Sequence, residues 1–440
     1  MAIVKPFKGV RPAEHLAASI AALPYDVYTR QEAKAIVENN PLSFLKIDRA
    51  ETQFPDETDM YSQAVYDKAR DTLAEMINDH SFIQDTCACY YLYALTMNGK
   101  TQTGIVGCAS IDDYLSGMIR KHENTREDKE LDRIRHVDTV SAHTGPIFLA
   151  HRTCGELDSI KSSVKTGKPL YDFTCSDNVR HQVWKISSPE MTDRILHIFS
   201  EMKHIYIADG HHRAASAVRV GLKRRAAHPD YTGDEEFNYF LSVLFSEEEL
   251  HIYDYNRVVT GLNGYTSDSF LSKLSEYFAV EEVSECQSGI KNPPDCQQCN
   301  ERLYLCRTDE ESQLWHPRKK GEFGLYLDKT WYKLTAKESL YSDNPVGSLD
   351  VSILQDTVLA PLLDIRDPKT DSRIKFVGGI RGMKELERLA DEKPERIAFV
   401  LYPTSMKELL AVADAGLLMP PKSTWFEPKL RSGLFIHKIE

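Results

Sequence analysis

Residues 205 to 217 read "IYIADGHHRAASA", and the side chains of Asp209, Gly210, His211, His212 and Arg213 admit three kinds of chemistry. They could hold a metal ion, relay a proton to a nucleophile, or cradle a phosphate. Metal-ligating histidines on a helix share a face when spaced as in HExxH, and adjacent histidines do not. The flanks favour the phosphate. "IYIA" is apolar and β-prone, Asp209-Gly210 breaks it, and "RAASAVRV" is a good helix former. The cluster therefore sits where a strand ends and a helix begins, where unpaired backbone N–H groups and the positive end of the helix dipole favour an anion. Arg213 adds a planar fork matched to phosphate oxygens. The competing structural reading has His211 and His212 capping the helix and Arg213 paired with a carboxylate.

A second constellation lies in "GMIRKHENTREDKELDRIRHVDTVSAHTGPIF". A short strand-like piece runs through His122-Glu123-Asn124-Thr125 into a highly charged helix. Thr125 is expected to cap it, with Asp128 three residues on. Most of the charge reads as a solvated face, with Glu127, Asp128, Asp132 and Arg135 pointing outward. Glu123 differs because it precedes the helix, where a carboxylate is placed to take a proton from a substrate.

The elements that must position these residues are those of an α+β (mixed α/β) protein. Three zones are expected, 1–104, 105–260 and 261–440, with helix-like and strand-like runs interspersed. Helices are predicted at "MYSQAVYDKARDTLAEMINDH", "SDSFLSKLSEYF", "MKELERLADEK" and "SMKELLAVADAG", and strands at "CYYLYALTM", "FGLYLD" and "IAFVLY". A chain of 440 residues with 42% hydrophobic and 27% charged residues is long enough for two or three cores. Its net charge of −12 opposes general binding to nucleic acid, so an anion site must be local. No signal-like start and no apolar run of membrane-spanning length are present, so a cytoplasmic protein without a membrane partner is expected. The nine cysteines are read as reduced thiols. The irregular set Cys286, Cys296, Cys299 and Cys306 is read as a surface loop, and no zinc is expected there or at the histidines. No GxxxxGK[ST] occurs, which argues against a P-loop enzyme.

"ADGHHRAASA" resembles the signature of the ParB/sulfiredoxin-like superfamily, and its DGHHR form is similar to that of the free-serine kinases. The chain as a whole resembles the family called domain of unknown function 1015. The matching pieces are "PFKGVRP", "PYDV", "NPLSFLKIDR", "DDYLSGMIRKHENTREDKELDR", "ADGHHR", "YNRVV" and "MPPKSTWFEPKLRSGL".

The resemblance implies a ParB/sulfiredoxin-like nucleotide-binding core with α/β extensions at both ends. It implies a phosphotransferase acting with ATP or ADP and Mg²⁺, most closely on free L-serine. Gly210, His211, His212 and Arg213 would hold the phosphates. Asp209 would orient the histidines or a metal-bound water, with magnesium arriving on the nucleotide and no dedicated protein metal site. Glu123 would be the general base, with Asp26 of "PYDV" in reserve. Arg11, His122, Thr125, Arg126, Arg257, Lys422 and Arg431 complete the supporting set. Sulfiredoxin chemistry needs a cysteine in the turn, which holds none, and no basic DNA-binding module is evident. A nucleotide-binding switch without catalysis is the alternative; the oligomeric state is not legible.

Overall fold

The computed structural model describes residues 2–125, 127–285, 304–305 and 315–440. Cys286, Cys296, Cys299, Cys306 and Arg126 lie outside them. The fold is mixed α/β, in two compact units, Met1–Leu250 with Pro428–Glu440 and His251–Glu427.

The first unit is built on a 9-stranded sheet. Its centre is the hairpin Tyr90–Met97 and Lys100–Ser110. Asn98 and Gly99, with φ of 50° and 75°, supply the two left-handed residues that a two-residue hairpin turn requires. Strand Tyr239–Ser246 pairs antiparallel with Lys100–Ser110 and parallel with Ile147–His151. Ile205–Asp209 follows antiparallel to Ile147–His151, and Ile119–Arg120 closes the row parallel to Ile205–Asp209. Leu92, Ile105, Leu149, Ile207 and Phe240 form the core with Ala214, Ala217 and Val218 of the helix His211–Ala227. Small residues on that helix face bring its axis close to the sheet. A second apolar cluster unites Phe44, Leu45, Leu73 and Phe82 with Ile436 of the C-terminal segment.

The charged run after Glu123 forms the helix Glu127–Val140. Arg219 pairs with Glu130 at 3.2 Å and Arg224 with Asp138 at 3.0 Å. Sequence numbers rise together in these pairs, so the two helices run parallel with their N-termini at one end. Glu127 and Arg135 are exposed as expected. Asp132 is not: it accepts from the Tyr66 hydroxyl at 3.0 Å and pairs with buried Arg133 at 2.9 Å, because the helix is covered on that side by Gln63–Asn78. Thr125 gives its hydroxyl to Glu130.

The second unit carries a 6-stranded antiparallel sheet, with Phe278–Glu282 and Ile374–Gly378 at its edges. Val258, Trp331, Leu386, Leu389 and Val400 form its core. Helices occur at Ser267–Leu274, Gly382–Asp391 and Met406–Asp414, where they are predicted from sequence. Among the described residues no helix is long and apolar enough to cross a membrane.

Candidate functional site

The site begins with two parallel strands. Ile119 lies opposite Ile205 and Arg120 opposite Tyr206. Because the strands run the same way, the chain leaves both at one edge, and residues 121–123 come level with 207–209. Ligands of open α/β sheets characteristically bind at such carboxyl ends.

The longer strand is bent at its end. Ile207 faces Leu149 but Asp209 faces Phe148, so Ala208 is an extra residue that breaks the alternation before the turn. Gly210 then takes φ 93°, ψ 30° as the residue preceding the helix. A β-carbon there would stand 3.0–3.2 Å from the guanidinium of Arg213, so both the backbone and the close approach call for glycine. Arg213 folds back over the turn and donates to the Pro146 carbonyl. The helix that follows has 17 residues. Its first N–H groups have no intrahelical partner and open onto this edge.

Asp209 is held from two sides. Its Oδ1 accepts from the Gly210 N–H at 2.7 Å, and its Oδ2 accepts from Lys429 Nζ at 2.9 Å. Burial would raise its pKa, but Lys429 and Arg213 more than offset that, and the carboxyl stays well below the usual range. The basic residues of "MPPKSTWFEPKLRSGL" divide between the units: Lys429 and Arg431 belong to the first, Lys422 to the second.

Beside Asp209 stand His122 and His211, edge to face, with ring centroids 4.5 Å apart. They are 1% and 8% exposed. Neither nitrogen of His122, nor Nε2 of His211, reaches a partner at full hydrogen-bonding geometry. Burial lowers the pKa of His122 to about 4, against the opposing pull of the Ile207 carbonyl and Asp209. Burial, then His122, lowers that of His211 well below the usual imidazole range. Both rings are therefore neutral near pH 7. Buried polar atoms without partners cost about 1–3 kcal/mol each. Glu123 is half-buried, and its carboxylate, His122 and His211 lie with ligand atoms within 4.8 Å of one another. His212 and Arg213 are half-buried on the same first turn.

Next to Arg213 lies a cavity whose lining includes Tyr25, Asp48, Arg133, Arg213 and Ser432. Each comes from a different sequence motif: "PYDV", "NPLSFLKIDR", the "HENT" segment, "ADGHHR" and the C-terminal run. Arg133 lies 3.9 Å over the Tyr25 ring, and Asp48 accepts from Thr144 at 2.7 Å.

The remaining sequence candidates are placed elsewhere. Arg11 bonds Asp85 at 3.1 Å in a cluster with Lys185. Asp26 is exposed, one residue beyond Tyr25. Arg431 donates to His181 at 3.2 Å and pairs with Asp177. Arg257 is buried in the second unit and donates to the Lys422 carbonyl at 3.1 Å. Sequence reasoning placed Lys429 in a basic cluster with Lys422 and Arg431 without assigning it to this turn, and it did not single out Arg133. Lys429 shares the basic C-terminal motif, which was the available signal; Arg133 had none beyond its place in the charged helix.

A mixed α/β protein with a strand–turn–helix at the carboxyl edge of its large sheet is the class that the fold defines. The chain belongs to the family described as protein of unknown function (DUF1015), whose model matches residues 4–352. No curated protein matches it. Solved structures similar to it include a free serine kinase in complex with AMP, at 13% identity and TM-score 0.34, covering 76% of this chain and 91% of that one. A conserved hypothetical protein from Pyrococcus furiosus aligns at 15% identity and TM-score 0.33, covering 76% and 94%. SbnI with C-terminal truncation from Staphylococcus aureus aligns at 11% identity and TM-score 0.36, covering 73% and 82%.

Proposed function

We propose that the chain is a small-molecule kinase that transfers a phosphoryl group from ATP or ADP to the hydroxyl of free L-serine, giving O-phosphoserine. The observation that carries this reading is the parallel strand pair, which sets the Glu123 carboxylate beside the N-terminus of the helix headed by His211. A proton acceptor and an anion site at one sheet edge are what hydroxyl phosphorylation needs, since such transfer rests on positioning and charge neutralisation.

The phosphates lie over the first turn of the helix, with Arg213 and His212 on the transferring group. Glu123 takes the hydroxyl proton as the serine oxygen bonds to phosphorus. The bond from phosphorus to the bridging oxygen breaks, leaving ADP from ATP or AMP from ADP. The cavity beside Arg213 receives the acceptor, where Arg133 and Arg213 face its carboxylate and Asp48 its ammonium group. Asp209 does not fit a magnesium ligand, being engaged by Lys429 and the Gly210 N–H. Magnesium accompanies the nucleotide in this reading, and no step is routed through it.

Purified protein incubated with Mg²⁺, ATP or ADP, and serine, threonine or homoserine tests the reading by mass spectrometry. Phosphoserine formed only with nucleotide supports it. Nucleotide binding with no phosphorylated product from any acceptor would replace it with a binding switch.

A further inference from the structure

We propose that His122, Glu123 and His211 form a binding site for a divalent transition-metal ion of the zinc, cobalt and manganese class. Two imidazoles and one carboxylate converge with ligand atoms within 4.8 Å of one another. With bonds of about 2.0–2.2 Å in tetrahedral geometry, ligand atoms stand about 3.4 Å apart, so closure asks for side-chain shifts of the order of an ångström. Three protein ligands with the remaining positions open is the composition of a metal site that also accepts water or a phosphate oxygen.

The second observation is independent of the clustering. The rings are 1% and 8% exposed, yet neither nitrogen of His122 nor Nε2 of His211 reaches a partner at full hydrogen-bonding geometry. A bound ion would satisfy two of these nitrogens at once. Lys121 bears on His211 unfavourably, while Asp209 draws positive charge toward both rings. The Glu123 carboxylate provides negative charge for a divalent ion in a buried place, whereas that of Asp209 is already paired with Lys429.

A second cluster shows what such a site is not. Cys175, Asp177 and His181 also converge within 4.8 Å. There Tyr93 bonds His181 Nδ1 at 2.8 Å, Arg431 bonds Nε2 at 3.2 Å, and the same guanidinium pairs with Asp177. Every nitrogen is occupied, and arginine already supplies the positive charge.

The site does not rest on the kinase reading, because it is measured without nucleotide or serine; with an ion bound, Glu123 is a ligand and not a proton acceptor, so occupancy would inhibit the transfer proposed above. The chelator-treated full chain is titrated with Co²⁺, followed by its visible absorption, and with Zn²⁺, followed by calorimetry. One equivalent should bind. His122→Ala, His211→Ala and Glu123→Gln should each weaken binding at least 10-fold, with thermal melting confirming that each variant is folded. Glu123 is half-buried, so Glu123→Gln keeps the test decisive if a histidine variant does not fold. The double variant Cys296→Ser, Cys299→Ser should leave the stoichiometry unchanged. Absence of ion binding by the native chain overturns the proposal, as does binding that survives Glu123→Gln or that disappears with the two cysteines.

Discussion

Lys429 Nζ stands 2.9 Å from Asp209 Oδ2, a contact made across 220 residues of sequence. It ties the returning C-terminal segment to the turn that opens the helix His211–Ala227. With Arg213, it also keeps that carboxylate ionised; on the kinase reading, an unpaired negative charge there would repel the phosphates.

Lys429→Ala should therefore lower nucleotide affinity about 10-fold, since a charge-assisted hydrogen bond contributes roughly 1.5–3 kcal/mol. Adding Asp209→Asn should recover part of the loss by removing the exposed charge. Calorimetric titration with ADP reads both effects, and unchanged affinity in Lys429→Ala would separate the clasp from the site.

Glu123→Gln retains the shape of the side chain but not its capacity to accept a proton. On the kinase reading, kcat for serine phosphorylation should fall by roughly 10²–10⁴, while nucleotide affinity changes little. A purely structural glutamate would instead lower the melting temperature and leave kcat near normal.

Arg213→Ala should abolish phosphoryl transfer in a folded protein, because the guanidinium is the charge that folds back over the turn. Gly210→Ala acts on the same group from beneath. It places a β-carbon against the guanidinium at a φ of 93°, with a conformational cost of about 1–3 kcal/mol. Its melting temperature and nucleotide affinity should both fall. Normal turnover by Arg213→Ala would move the phosphate site elsewhere.

Acid should destabilise the first unit through His181. Burial, reinforced by Arg431, lowers its pKa to about 3. Arg431 can only donate, so Nε2 accepts and Nδ1 carries the proton toward Tyr93. Between about pH 6.5, where the unfolded ring titrates, and pH 3, the unfolded chain binds more protons than the folded one. Stability is thus fully present above pH 6.5 and declines as pH falls, by a loss on the order of 4 kcal/mol. Urea unfolding at pH 7.5, 5.5 and 4 should show a decline that is shallower in His181→Gln; equal slopes would contradict this origin.

The sequence by itself determined the local pieces. An apolar β-prone run, a glycine and an alanine-rich stretch are enough for the strand, turn and helix of residues 205–227, because those preferences act over a few residues. The capping boxes Thr29–Glu32 and Ser405–Glu408 are local in the same way. Only the tertiary structure decided which pieces meet. Adjacent histidines do not share a helix face, and His211 and His212 indeed do not; yet His122 reaches His211 because two strands far apart in sequence pair in parallel. Asp132 turns inward because another helix covers it, and Lys429 finds Asp209 because the last residues return to the first unit. Strand order and chain return are settled by burial of whole faces, and no short window of residues carries that information.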